Sequence, residues 1–183
     1  ALTMENNWVS YKNGNYNVHL DLVSGTKIRE NNLSFFKADR PENMDIKITN
    51  RCTNPCGTKE CPKNCEFCHE NSGPNGKHSD ALNSKFLETL PEWTECAYGG
   101  GNVLEYPDLV PLLRKSKNLH LISNITVNQK HFMENISLLR ELSNQKLIYG
   151  LGISLTNPYE EGFIAAVKSF PNAVIHVING VVT

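Results

Sequence analysis

Along residues 7–36, apolar and polar positions alternate around "KNGN" and "VSGT", the two-residue period of half-buried strands interrupted by turn chemistry. This predicts an N-terminal β-hairpin extension within residues 4–43. From residue 44 the period changes. Short apolar runs, "MDIKIT" (44–49), "CAYGGG" (96–101), "LHLISNITV" (119–127), "LIYGLGISL" (147–155) and "AVIHVING" (173–180), read as strands. Between them, "DALNSKFLETL" (80–90), "PDLVPLLRKS" (107–116), "KHFMENISLLRELS" (130–143) and "PYEEGFIAAVKSF" (158–170) have helical spacing. Five βα alternations with nearly continuous apolar strands predict an α/β fold, with about five parallel strands covered by helices.

Such alternation suits an open doubly wound sheet or part of a (β/α) barrel, and both place their chemistry at the C-terminal ends of the strands. The cysteine-rich loop, "GGGN", "TVNQ" and "ISLTN" each follow a strand. They are therefore expected on one rim. Ala1–Thr3 reads as a cloning remnant ahead of a native start at Met4. The sequence stops at Thr183, directly after a strand, so residues 44–183 are expected to form a partial or C-terminally truncated barrel.

Composition narrows the class. With 39% hydrophobic and 20% charged residues among 183, the chain has the balance of a soluble globular protein. A net charge of −1 without a long run of Lys and Arg argues against a partner held mainly through nucleic-acid phosphates. No apolar run has the length of a membrane span, and the N-terminus lacks the order of a signal peptide. The expected location is the cytoplasm.

Five of the six cysteines fall between positions 52 and 68: Cys52, Cys56, Cys61, Cys65 and Cys68. In a reducing compartment this density points to metal binding rather than disulfides. Three thiolates at C-x3-C-x2-C can hold three corners of one cluster, and soft sulfur ligands select zinc, copper(I) or iron–sulfur. A [4Fe–4S] cluster on three cysteines keeps one iron open to a small molecule's amine and carboxylate. Structural zinc prefers four closed ligands.

Several segments together resemble the radical S-adenosylmethionine superfamily. Cys61, Cys65 and Cys68, with Phe67 before the last, match its C-x3-C-x-aromatic-C motif. "DIKITNRC" is similar to its first barrel strand and "YGGGNVLEYPDL" to its "GGE" segment after the second. With "HEN" after Cys68, "NITVNQ" and "YGLGIS", the chain looks most like phage-borne members with no settled reaction. The resemblance covers roughly residues 44–180. It implies a [4Fe–4S] cluster on Cys61, Cys65 and Cys68 that reductively cleaves S-adenosylmethionine to a 5′-deoxyadenosyl radical, which abstracts hydrogen from an unknown substrate. It implies backbone contact from Gly99, Gly100 and Gly101, with Gly100, Gly101 and Asn102 holding the methionine amine. Phe67 would pack beside the adenine, and Asn128 and Ser154 would bind carboxylate or ribose hydroxyls. It also implies an electron donor such as flavodoxin or ferredoxin, and the host cytoplasm if the chain is phage-encoded.

Two departures stand out. Cys52 occupies the place directly after the strand where the first cluster ligand is usual, and Cys61 comes nine positions later. Two ligand sets therefore fit: Cys61 with Cys65 and Cys68 by spacing, or Cys52 with Cys65 and Cys68 by distance from the strand. The unbroken motif is taken, which leaves Cys52 and Cys56 spare or at a zinc site with His69 or His78. Asn102 replaces the Glu of the "GGE" pattern and brings no charge. The competing reading is a non-catalytic, zinc-stabilised binding module on an α/β scaffold. Elsewhere the readings are bland: Cys96 a buried small hydrophobe, His176 a core histidine, Glu105 and Asp108 first-turn residues favoured by a helix dipole. His120 and His131 carry no signal.

Overall fold

A computed structural model describes residues 4–5, 7–53, 68 and 71–177. Where alternation predicted a hairpin, there is an antiparallel sheet of four strands in sequential order, β1 (Met4–Glu5), β2 (Trp8–Asn13), β3 (Tyr16–Asp21) and β4 (Lys27–Glu30). The period-two pattern puts Val9, Tyr11, Val18 and Leu20 on the buried face. Asn13 pairs with Tyr16 across a two-residue turn that opens on Gly14 at φ +59°. A Cβ there would lie 1.8 Å from the Lys37 carbonyl oxygen, so the position excludes any other residue.

The second sheet is the predicted one. β5 (Asn43–Thr49), β6 (Glu95–Gly100), β7 (Ile122–Asn128), β8 (Gly150–Ser154) and β9 (Ala173–His176) are parallel and in sequential order. The connections carry α1 (Leu109–Asn118), α2 (Gln129–Glu134), α3 (Ile136–Asn144) and α4 (Phe163–Lys168). Ile48, Tyr98, Ile125 and Ile153 of the strands pack with Leu112, Phe132, Leu139 and Phe163 of the helices in one core. Phe132 sits edge-on to both Phe163 and Phe170, with ring centroids 6.1 and 5.4 Å away. β5 and β9 are the two edges of this sheet.

Among the described residues, the helices cover one face only. On the alternate positions, Asp45, Lys47 and Thr126 are exposed, and Gly150 and Gly152 add no side chain. Ile122, at the N-terminal end of β7, is instead buried with Val9 and Leu20 of the first sheet. The two sheets are also tied by charge. Lys27 Nζ reaches Glu95 Oε2 at 3.1 Å and Glu42 Oε1 at 3.5 Å, and Glu42 accepts from Tyr16 and Arg29.

Three helix expectations need correction. Residues 80–90 form turns and a single 3-10 turn, Leu87–Thr89. Ser84 Oγ accepts from Phe86 N, so a side chain takes a backbone hydrogen bond that a helix would need. The helix of 130–143 is split at Asn135, whose φ of −129° leaves the helical region and whose Nδ2 donates to His131 O. The 158–170 helix is limited to Phe163–Lys168, because Gly162 at φ +77° starts it late.

Candidate functional site

Parallel strands bring the segments after β5, β6, β7 and β8 to one rim. β5 leaves the sheet as Asn50–Cys52, and this stem is bordered on both sides. The returning chain pairs with it on one side: Ser79 N donates to Ile48 O at 2.8 Å, Asn50 N to Lys77 O at 3.1 Å and Cys52 N to Gly73 O at 2.9 Å. The glycine segment pairs on the other, with Gly101 N donating to Thr49 O and Asn102 N to Arg51 O, both at 2.8 Å. The base of the cysteine loop and the glycine segment are thus one hydrogen-bonded unit.

That pairing explains two of the three glycines. Gly100 has φ +126°, and a Cβ on it would lie 1.9 Å from Thr49 O; one on Gly101 would lie 2.2 Å from Arg51 O. Gly99 has nothing within 4 Å of its Cβ position and faces open space. Asn102 is buried, and its Oδ1 accepts from Leu104 N at 3.1 Å, capping the 3-10 turn Val103–Glu105. The same oxygen retains a second lone pair.

Of the five clustered cysteines, Cys52 and Cys68 are described and both are half-buried. Cys56, Cys61 and Cys65, with Phe67 and His69, lie outside the described residues. Cys68 Sγ accepts from Ser72 N at 3.5 Å, and Ser72 Oγ is buried with no hydrogen-bond partner among the described residues. A backbone N–H on sulfur beside an unsatisfied hydroxyl fits a site where thiolate or inorganic sulfide accumulates negative charge. Among the described residues, no three metal-ligating side chains converge. His78 Nδ1 lies 2.9 Å from Thr49 Oγ1 and its ring meets Tyr106 edge-on. Cys96 is fully buried in the core, as expected, and burial pushes its thiol up to about 11.

Glu105 does something its sequence position did not suggest. Its carboxylate accepts from Thr53 N at 2.9 Å and Thr53 Oγ1 at 2.5 Å, and faces Arg51 Nε at 3.7 Å. It grips the stem on either side of Cys52.

On the far half of the rim, Asn128 caps α2 through His131 N at 2.7 Å and is the register partner of Ser154. Gln129, unremarked in the sequence, is buried and stitches these two segments together. Its Nε2 donates to Asn157 O, and its Oε1 accepts from Thr156 N and Asn157 N. A polar residue beginning a helix after an apolar strand was the signal. His176 is not a core histidine: it is exposed, and its Nε2 lies 2.8 Å from where a Cβ on Gly152 would sit. Thr126 Oγ1 is equally close to that point, so both side chains belong to the face without helices. A cavity of about 350 Å³ lined by Glu95, Asn124 and Tyr149 lies at the N-terminal ends of the strands, away from this rim.

No protein-family model matches the chain, and no curated protein matches it.

Proposed function

We propose that the chain is a radical S-adenosylmethionine enzyme, or the cofactor-binding portion of one, built as a partial (β/α) barrel. One observation carries this reading. The cysteine stem after the first parallel strand and the glycine segment after the second are hydrogen-bonded to each other on the C-terminal rim through Thr49, Arg51, Gly101 and Asn102. A cluster and the amino acid group it chelates would have to meet there.

In this reading Cys65 and Cys68, with either Cys61 or Cys52, hold a [4Fe–4S] cluster. When bound, that cluster supplies the electron that cleaves the sulfonium of S-adenosylmethionine to a 5′-deoxyadenosyl radical. The chain's own contribution is positioning. Gly99 leaves room for a ligand against the strand, and Gly100, Gly101 and Asn102 orient the methionine amine. Phe67 packs beside the adenine. Ser154 and Asn128 present polar groups to carboxylate or ribose, and the helix-free face of the sheet, with Thr126 and His176, is where the substrate approaches. A flavodoxin- or ferredoxin-like donor would supply electrons.

The test is anaerobic reconstitution with iron and sulfide, followed by assay for 5′-deoxyadenosine with a chemical reductant. A brown protein that forms 5′-deoxyadenosine supports the reading. A colourless protein that retains zinc would sink it in favour of a zinc-stabilised binding module.

A further inference from the structure

We propose that the cavity at the N-terminal ends of the parallel strands binds a neutral, planar heterocycle whose edge carries two N–H donors beside a carbonyl, the edge that guanine presents in a nucleoside. The cavity lies away from the rim that carries the cysteine loop, and the proposal does not depend on the iron–sulfur reading.

The cavity opens between the turn joining β3 to β4, at Ser24 and Gly25, and the first residues of β6 to β9. Its volume of about 350 Å³ is at the small end of the range for small-molecule pockets, which suits a base or a nucleoside. Five polar side chains line it. Ser24 is spent on Asp21 and Thr26, and Asn172 Nδ2 donates to Val23 O at 3.3 Å. The other three keep unused capacity. Glu95 and Asn124 stand on one face of neighbouring strands, since Glu95 is the register partner of Ile122, two positions before Asn124. Lys27 Nζ takes Glu95 Oε2 at 3.1 Å, which fixes the carboxylate and leaves Oε1 without a partner among the described residues. Asn124 Oδ1 accepts from Gly150 N at 2.8 Å. A backbone N–H can bond only the oxygen of that amide, so Nδ2 is left to donate. Gly150 permits this contact, because a Cβ there would itself lie 2.8 Å from Asn124 Oδ1. Tyr149 makes no side-chain hydrogen bond among the described residues, and burial pushes its phenol up.

These groups specify the ligand. A carboxylate accepts from a pair of adjacent N–H groups, and an amide Nδ2 donates to a carbonyl beside them. Guanine carries N2–H, N1–H and O6 in that order along one edge. Ile122 supplies an apolar wall and Tyr149 an aromatic one for the ring. Charge decides between nucleoside and nucleotide. Lys27 is already shared between Glu95 and Glu42, the latter at 3.5 Å, and among the described residues no Lys or Arg lines the cavity. A phosphate would meet a carboxylate there and no free cation. Glu95 and Asn124 are both oriented by the protein before anything binds, so little ordering is left for the ligand to impose.

The experiment is equilibrium dialysis of the full chain against guanosine, inosine and adenosine, repeated on Glu95→Gln and Val174→Trp. Val174 lines the cavity from the edge strand and is 56% exposed, so a bulky side chain there fills the space while the fold is kept, as a thermal melt will show. Guanosine should bind saturably to wild type. Inosine, which lacks N2–H, should bind about tenfold more weakly, and so should guanosine to Glu95→Gln, each having lost one charge-assisted hydrogen bond. Val174→Trp should abolish binding. Should Glu95→Gln lose Tm with its Lys27 contact, inosine and Val174→Trp carry the decision. Absence of saturable guanosine binding, or undiminished binding in Val174→Trp, overturns the site. Inosine or adenosine binding as tightly as guanosine, or full affinity in folded Glu95→Gln, overturns the assignment of the edge. None of these readouts requires iron, so failure here and failure of the proposed function are told apart.

Discussion

Tyr98 on β6 donates its hydroxyl hydrogen to Ser116 Oγ on α1 at 2.6 Å, because the hydrogen of Ser116 is spent on Leu112 O at 2.9 Å. Both residues are buried, and burial, more than any neighbour, holds the Tyr98 phenol well above its ordinary pKa. The pair fixes the strand carrying the glycines against its own crossover helix. Removing either end is not symmetrical. Tyr98→Phe deletes one donor and should cost about 1 kcal/mol, whereas Ser116→Ala strands a buried phenol and should cost about 2 kcal/mol. Chemical denaturation of the two variants checks the order.

The three glycines should separate by function. Gly100→Ala and Gly101→Ala place a methyl against the stem carbonyls of Thr49 and Arg51, and each should destabilise by on the order of 2 kcal/mol or more. Gly99→Ala meets nothing, so Tm should stay within a degree or two of wild type, while under the proposed function affinity for S-adenosylmethionine should fall. Thermal melts read the first effect and isothermal titration of reconstituted protein the second.

Glu42 governs an acid limb. Burial pushes its carboxyl up, but hydrogen bonds from Arg29 and Tyr16 and the charge of Lys27 outweigh this and hold it below 4.5. A carboxyl depressed in the folded state stabilises above its unfolded pKa, and the contribution is lost as pH falls through the folded value. Attachment of the N-terminal sheet should therefore weaken progressively below pH 4.5. Glu42→Gln should flatten that part of a Tm-against-pH curve and leave the neutral region lower. An unaltered acid limb in the variant contradicts the assignment.

Cysteine substitutions divide the same way. Under the proposed function, Cys68→Ala and Cys65→Ala should abolish iron uptake, as both ligand sets contain these residues. Cys96→Ala opens a small hole beside the core strands and should cost about 1 kcal/mol without touching iron content. In folded protein at pH 8, Cys96 should resist alkylation, since its thiol titrates near 11.

The sheet was legible because each strand carries its own apolar run and each crossover its own length; nothing distant was needed to read them. Helices were less legible where short polar side chains compete for the backbone, as Ser84 and Asn135 do. The site divided along similar lines. Glycines at a strand end announced close approach, but which chain approached them depends on pairing between residues far apart in sequence. Glu105 reads as a helix-start residue until Thr53 is brought to it, 52 positions away. His176 reads as core because its neighbours are apolar, and its exposure among the described residues depends on how the whole sheet is covered.

The paired stem also bears on how this region tolerates change in length. Because residues 48–52 are bonded to 73–79 and to the glycine segment, the sheet registers the ends of the cysteine segment and not its contour. Each doubling of the chain between those ends would add only about 0.6 kcal/mol of closure entropy. Residues can thus be added to the segment between Thr53 and Cys68 at small thermodynamic expense to the sheet. That makes the segment a natural place to insert a reporter peptide or a recognition sequence while the five parallel strands stay in register.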